Sequence, residues 1–416
     1  MTTDSVLDRL DEVRPGLAEL YQDLHAHPEL SFAEHRTAGL IAERLTTLGL
    51  EVAEGVGRTG VVGVLRNGDG PTVLLRADID ALPVKEATGL PYASTATGID
   101  PDGDEVPVMH ACGHDMHVTC LLGALDLLAG ARDLWTGTVL AVFQPAEELG
   151  QGARAMVDDK LFDRFGRPDI VLGQHVGPFP AGWVGVHAGP AFAAADSLRV
   201  RLHGKGGHGS RPETTVDPVV MAAATVMRLQ TVVSREIAGA ETAVVTVGSI
   251  QAGTKDNVIP DEAELTVSIR TYSEQVRGKV LGAVERIVRA EAAASGAERE
   301  PELIPIGTFP VLINDEAATA RTAAALRDRL GEGNVIDPGP VTGSEDVGFF
   351  ATSAGVPLCY WLFGGTDRDT FLAAFNAGTW DTDIPANHSA LFAPVIEPTL
   401  GTGVTAMVTA ALAWLG

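Results

Sequence analysis

The chain has 416 residues, 45 % hydrophobic and 20 % charged, with a formal net charge of −25. That length exceeds what one core usually holds, so two domains are expected; the acidic balance excludes nucleic acid, whose phosphates need clustered Lys and Arg, and argues against binding an anionic membrane surface. Three cysteines cannot build a disulfide framework, and with no basic-then-apolar leader and no run of membrane-spanning length a cytoplasmic protein is predicted. Val6, Leu7, Leu10, Val13, Leu17, Leu20, Tyr21 and Leu24 recur at helical spacing and predict a helix over 5–26. His27-Pro28 breaks it, and a second helix follows over 34–48, closed by Gly49. His25 and His27, beside that turn, are expected to cap or pack.

Strands over 61–65 and 72–75 are separated by the turn Asn67-Gly68-Asp69-Gly70. The second runs into Arg76-Ala77-Asp78-Ile79-Asp80-Ala81-Leu82-Pro83, which places carboxylates where open α/β sheets keep their ligand crevice, or else forms an Asp-rich turn. An exposed acidic loop over 98–106 comes next. Met109-His110-Ala111-Cys112-Gly113-His114-Asp115-Met116-His117 then crowds three imidazoles, a thiol and a carboxylate around one glycine. Cys and His two apart across a glycine suit one metal, although a satisfied polar loop fits the same spacing. A helix over 118–128 follows.

Thr138 to Phe143 reads as a buried strand ending in Gln144-Pro145-Ala146-Glu147-Glu148. Adjacent carboxylates in extended chain point opposite ways, so one can bind metal while its neighbour faces a water; glutamates also suit a helix N-terminus. A strand over 169–173 leads to Gln174-His175-Val176. Polar residues at three successive strand ends converge on one edge if the sheet is parallel.

From His187 the pattern becomes βαββαβ: strand 197–202, helix 215–236, strands 243–250 and 263–272, helix 274–295, strand 302–306. That order is a ferredoxin-like unit. The expected fold is therefore α/β: a mostly parallel sheet flanked by helices over 1–186 and 306–416, interrupted by a small domain over 187–305. The returning segment carries helix 315–330, strand 356–362, Gly343-Ser344-Glu345-Asp346 as a helix start capped by Ser344, Asn387-His388-Ser389 in a loop, and a closing helix over 399–415.

Taken in order, the motifs at 76–83, 110–117, 144–148, 173–176, Gly206-Gly207-His208-Gly209-Ser210-Arg211-Pro212 and 387–389 resemble the dinuclear metal amidohydrolases related to aminoacylase and carboxypeptidase G, in the branch of hippurate and auxin–amino acid conjugate hydrolases. The resemblance spans nearly the whole chain. It implies Cys112, His114, Glu148, His175 and His388 as ligands of two divalent ions (zinc, manganese, cobalt or nickel), Glu147 as general base, and Asp78 as a residue orienting a ligand. It implies His208 on the small domain polarising the scissile carbonyl, commonly in a partner's site, and Asn257 and Arg270 gripping a substrate carboxylate. A homodimer through the small domain, acting on N-acyl amino acids, is the expectation. The chain departs from the branch in a longer acidic loop before Met109, an expanded stretch over 364–386 containing Phe371, Phe375 and Trp380, and Val347 where an aromatic residue is frequent. Competing readings are a dipeptidase, a binding homologue without turnover (opposed by the retained Glu147), and a zinc deaminase, whose Pro-Cys-x-x-Cys partner is missing.

Overall fold

The computed structural model describes residues 2–416. The chain forms two compact units. The first comprises the chain up to Gly189, Ile313–Gly339 and Asp346–Gly416; the second comprises Pro190–Leu312 and Pro340–Glu345. These bounds differ from the expected 187–305 because the last strand of the small sheet runs on to Phe309, and because Pro340–Glu345 returns to that unit.

The first unit is built on an eight-stranded sheet ordered Glu51–Val56, Gly60–Asn67, Gly137–Gln144, Thr72–Asp78, Ile170–Pro180, Leu358–Thr366, Val184–Gly185 and Val335–Ile336. The four central strands, Gly137–Gln144 through Leu358–Thr366, are mutually parallel. Val139 to Phe143 are all fully buried, as parallel strands covered on both faces require. Asp78 lies opposite Gln144, and Leu362 opposite His175. The C-terminal ends carrying the candidate donors therefore fall on the same edge.

Helices Leu10–Ala26, His114–Gly130 and Thr399–Leu412 contribute to one apolar core with this sheet. They meet at Gly123, where an added Cβ would lie 2.6 Å from Leu17 and 2.9 Å from Val404. The predicted N-terminal helix is two pieces, Thr2–Leu7 and Leu10–Ala26. The acidic loop forms a hairpin, Thr97–Ile99 against Glu105–Pro107, with the Asp100 carboxylate accepting from the Asp102 and Asp104 amides. Ser344 does not cap a helix: the next one begins at Gly348, and the Ser344 hydroxyl instead donates to Ala193 O and accepts from Arg270.

The second unit is a four-stranded antiparallel sheet ordered Ala243–Ala252, Glu262–Thr271, Ala194–His203, Glu302–Phe309. Together with the helices Pro218–Thr231 and Glu274–Ala294 this is the ferredoxin-like order. Its own core joins Val200, Leu202, Leu265, Ile269, Val280 and Val284. No helix among the described residues is long and apolar enough to cross a membrane.

Candidate metal centre

Five segments reach the sheet edge, around Asp78, Cys112, Glu147, His175 and His388. The strand ending at Asp78 continues to Asp80, whose backbone and side chain are buried beneath the histidine loop. Leu82 and Met109 exchange both backbone hydrogen bonds at 3.0 Å, which sets the 110–117 loop beside it. Gly113 sits at φ 85°, immediately before the helix His114–Gly130, so Cys112 and His114 project from either side of a left-handed turn. Ala146 turns at φ 48°, its amide held 2.9 Å from Glu34 Oε1, while the Glu148 amide donates to Asp80 Oδ2 at 3.1 Å. His388 also has a positive φ, 70°, with its amide 2.8 Å from Ala111 O. Asn387 Nδ2 donates to both Cys112 O and Val176 O at 3.1 Å, tying three segments together. Left-handed non-glycine residues are costly and concentrate where function over-determines them.

The ring nitrogens decide which histidines have a lone pair to offer. His114 donates from Nδ1 to Asp80 O at 2.8 Å, with Asp80 Oδ1 at 3.2 Å; its Nε2 is buried without a hydrogen-bond partner. His175 donates from Nδ1 to Val176 O at 2.8 Å, and its Nε2 lies 3.4 Å from Cys112 Sγ. His117 has neither nitrogen to spare: Nδ1 donates to Asp78 Oδ1 at 2.5 Å, and Nε2 accepts the Val176 amide at 2.8 Å.

Donor atoms gather in overlapping sets. Cys112, Glu148 and His388 lie within 4.8 Å of one another, as do His114, Glu147 and Glu148, and Asp78, His114, His117 and His175. Glu148 is common to the first two. Its Oε1 is 3.3 Å from His388 Nε2 and 3.9 Å from His114 Nε2, and makes no hydrogen bond although buried. Glu147 Oε2 is also 3.9 Å from His114 Nε2. Buried polar atoms left without partners are expensive; a cation beside His114 Nε2 and Glu148 Oε1 would satisfy both. The mixed thiol, imidazole and carboxylate donors suit zinc, cobalt or manganese.

The electrostatics agree. Burial pushes the His175 and His117 pKa values down to about 4, keeping both rings neutral. Burial also works to lower His114, but Asp78 and Asp80 outweigh it and raise its pKa to about 10, so the surrounding carboxylates favour a positive charge at this ring, which a cation at Nε2 would supply in place of the proton. Burial, then Glu148 and Glu147, raise the Cys112 thiol well above its usual value; a divalent ion among them would reverse that and favour thiolate.

Behind the loop lies a second buried cluster. His25 Nδ1 is 2.6 Å from Asp115 Oδ2, and its Nε2 is 3.1 Å from Glu86 Oε1. His25 is thus a packed ion-pair residue, while His27 is exposed and bonds Asp23 O. Both nitrogens of His110 are buried without partners, and burial lowers its pKa to about 4.

His208, Asn257 and Arg270 belong to the second unit. His208 is exposed on the strand Gly207–His208 and faces Val258 in register; the Gly209 amide bonds Asn257 O at 2.8 Å. His208 Nδ1 accepts from the Ser210 amide at 3.1 Å, which leaves the neutral ring's proton on Nε2. Arg270 is half-buried and donates to Ser344 Oγ.

Residues 74–392 match the model of "Peptidase family M20/M25/M40". The chain belongs to this family. It is 37 % identical to thermostable carboxypeptidase 2 of Saccharolobus solfataricus over 85 % of this chain and 86 % of that protein. It is 37 % identical to N-acetyl-L-cysteine deacetylase of Bacillus subtilis (86 % and 82 % covered) and 36 % identical to hippurate hydrolase of Campylobacter jejuni (88 % and 92 % covered). The crystal structure of the Bacillus subtilis YXEP protein, a dinuclear metal-binding peptidase of the M20 family, superposes with a TM-score of 0.75 at 30 % identity, covering 97 % of this chain and 98 % of that one. The chain is a metal-dependent amidohydrolase with a two-ion centre.

Proposed function

We propose that the protein hydrolyses the amide bond of N-acyl amino acids, N-acetyl, N-benzoyl or similar, releasing a carboxylic acid and a free amino acid. The observation that carries this reading is the convergence of Cys112, His114, Glu148, His175 and His388 with Glu147 alongside, 3.9 Å from the unpartnered His114 Nε2. Those five residues would hold the ions, and Asp78 would steady the cluster through His117. Two bound divalent cations would lower the pKa of an attacking water and polarise the acyl carbonyl. Glu147, 5 % exposed, takes the water's proton and returns it to the leaving nitrogen. His208 Nε2–H donates to the developing oxyanion, and Arg270 with Asn257 engages the substrate carboxylate, for which a planar guanidinium is better shaped than an ammonium.

The relatives that carry the names hippurate hydrolase and N-acetyl-L-cysteine deacetylase support the acyl reading. A second reading, hydrolysis of a peptide bond at a free carboxylate, draws on the relative named carboxypeptidase. We place the protein in the cytoplasm as a homodimer paired through the second unit, with His208 serving the partner's centre. Protein loaded with manganese, cobalt or zinc is to be assayed on N-acetyl and N-benzoyl amino acids and on dipeptides. Preferential turnover of the acylated substrates supports the proposal; preference for dipeptides selects the second reading, and no turnover of any amide defeats both. Mixing inactive Glu147→Gln and His208→Ala chains should restore part of the activity; mixed dimers without recovery would exclude action across the interface.

A further inference from the structure

Of all the carboxylates at the sheet edge, Asp78 is the one the ions should covet. It is fully buried, and its Oδ2 lies 3.5 Å from His114 Nε2, a separation that two donors on one ion can have. Yet both its oxygens are already engaged. Arg76 stands two residues earlier on the same strand, hence on the same side of the sheet, and its NH1 donates to Asp78 Oδ2 at 2.7 Å. His117 Nδ1 donates to Oδ1 at 2.5 Å, and cannot turn away because its other nitrogen holds the Val176 amide.

Arg76 is itself fixed. Its side chain is completely buried. Nε donates to Gln144 Oε1 at 2.8 Å, NH1 reaches Tyr360 Oη at 3.3 Å, and NH2 reaches Asp346 Oδ1 at 3.4 Å. Asp346 is held in turn by Gln144 Nε2 at 2.7 Å and by the Ala153 amide at 3.0 Å. A guanidinium so placed keeps its charge at any working pH and cannot accept a hydrogen bond.

We infer that Arg76 is an internal counter-ion that withholds Asp78 from the metals: the ions are bound without this carboxylate, and Arg76 is a positioning residue that sets their coordination number. The inference rests on the two-ion reading above. Removing the guanidinium while keeping Asp78 frees an anionic oxygen within reach of the ion at His114. Removing the Asp78 charge while keeping its shape takes away no ligand.

The test uses cobalt(II), whose visible absorption is strong when four-coordinate and weakens as ligands are added. Apoprotein is titrated with cobalt and bound ions are counted by elemental analysis. Wild-type protein taking up two equivalents supports the two-ion reading; fewer would defeat that reading by itself, whatever the variants do. Asp78→Asn should then keep both the stoichiometry and the shape of the cobalt spectrum. Loss of an ion, or a spectrum reporting a lost ligand, overturns the inference. Arg76→Met should weaken the absorption and bind cobalt more tightly, by about tenfold or more, with Arg76→Lys moving back toward wild type. Merely structural damage to a ligand's support acts in the opposite direction, typically lowering affinity by about 10–100-fold, and such a result in folded Arg76→Met protein also overturns it. Should Arg76→Met fail to fold, the isosteric Asp78→Asn still decides.

Discussion

Gly113→Ala isolates the turn on which the centre is built. The native φ of 85° is open to glycine but costs a residue with a Cβ about 1–2 kcal/mol. The new Cβ would also lie 2.4 Å from Val176 Cγ1 and 3.4 Å from Phe392 Cε1. Val176 cannot retreat easily, because its amide is held by His117 and its carbonyl by His175 and Asn387. Overpacking of this kind typically costs about 1–3 kcal/mol, giving about 2–5 kcal/mol in all, a large part of an ordinary domain's stability. Urea unfolding followed by circular dichroism, with chelator present to remove metal linkage, should show a lower midpoint at unchanged slope. Metal affinity should fall as well, since the displaced turn carries Cys112 on one side and His114 on the other. A midpoint equal to wild type in chelator would refute the claim that this turn is sterically committed.

Other outcomes follow from the proposed function and from the buried ion pairs. Cys112→Ser should lose metal content, and peroxide should inactivate the wild-type protein less when it is metal-loaded; unchanged metal content and activity in the variant would remove Cys112 from the ligand set. If Arg270 grips the substrate carboxylate as proposed, Arg270→Lys should raise KM for an N-acyl amino acid about 10–100-fold with little change in kcat, the cost of a weakened charged hydrogen bond. Burial opposes protonation of His25, but its bonds to Asp115 and Glu86 prevail and raise its pKa from 6.5 to about 10. A raised folded-state pKa contributes stability that is complete below about 6.5 and is lost as pH rises through about 10. Unfolding midpoints measured across that window should converge for wild type and His25→Gln as pH rises; parallel curves would contradict the ion-pair reading.

Much of the fold can be read in the chain itself, and so can many of the polar residues that the structure gathers at the sheet edge. The βαββαβ order stands out because Ala243–Ala252 and Glu262–Thr271 alternate and Glu274–Ala294 buries Val276, Val280, Ala283, Val284, Ile287 and Val288 at helical spacing. Three of the segments at the sheet edge stand out because their polar residues follow an apolar run: Asp78 after Thr72–Leu75, Glu147 and Glu148 after Val139–Phe143, His175 after Ile170–Leu172. What one dimension hides is direction. Asp78 and Asp80 share a side of the extended chain, yet Asp80 is the one bonded to the far nitrogen of His114, and Asp78 turns to Arg76 and His117. His117 matches a third ligand by spacing alone; the family resemblance leaves it out of the ligand set, and the Val176 amide on its Nε2 supplies the physical reason. Asn387 stood beside a candidate ligand with no role until the segments it joins, at Cys112 and Val176, came together. Ser344 carried a good capping sequence, but tertiary bonds to Arg270 and Ala193 claimed its hydroxyl. Non-local partners leave no periodic trace.

In the proposed mechanism Glu147 moves the proton at a two-ion centre it does not itself assemble. The most direct test is kcat of Glu147→Gln against wild type on an N-acyl amino acid, with bound metal counted in both. Equal metal content and a fall in kcat of about 10²–10⁴-fold are expected, the usual contribution of a general base. Undiminished turnover at equal metal content would contradict that mechanism.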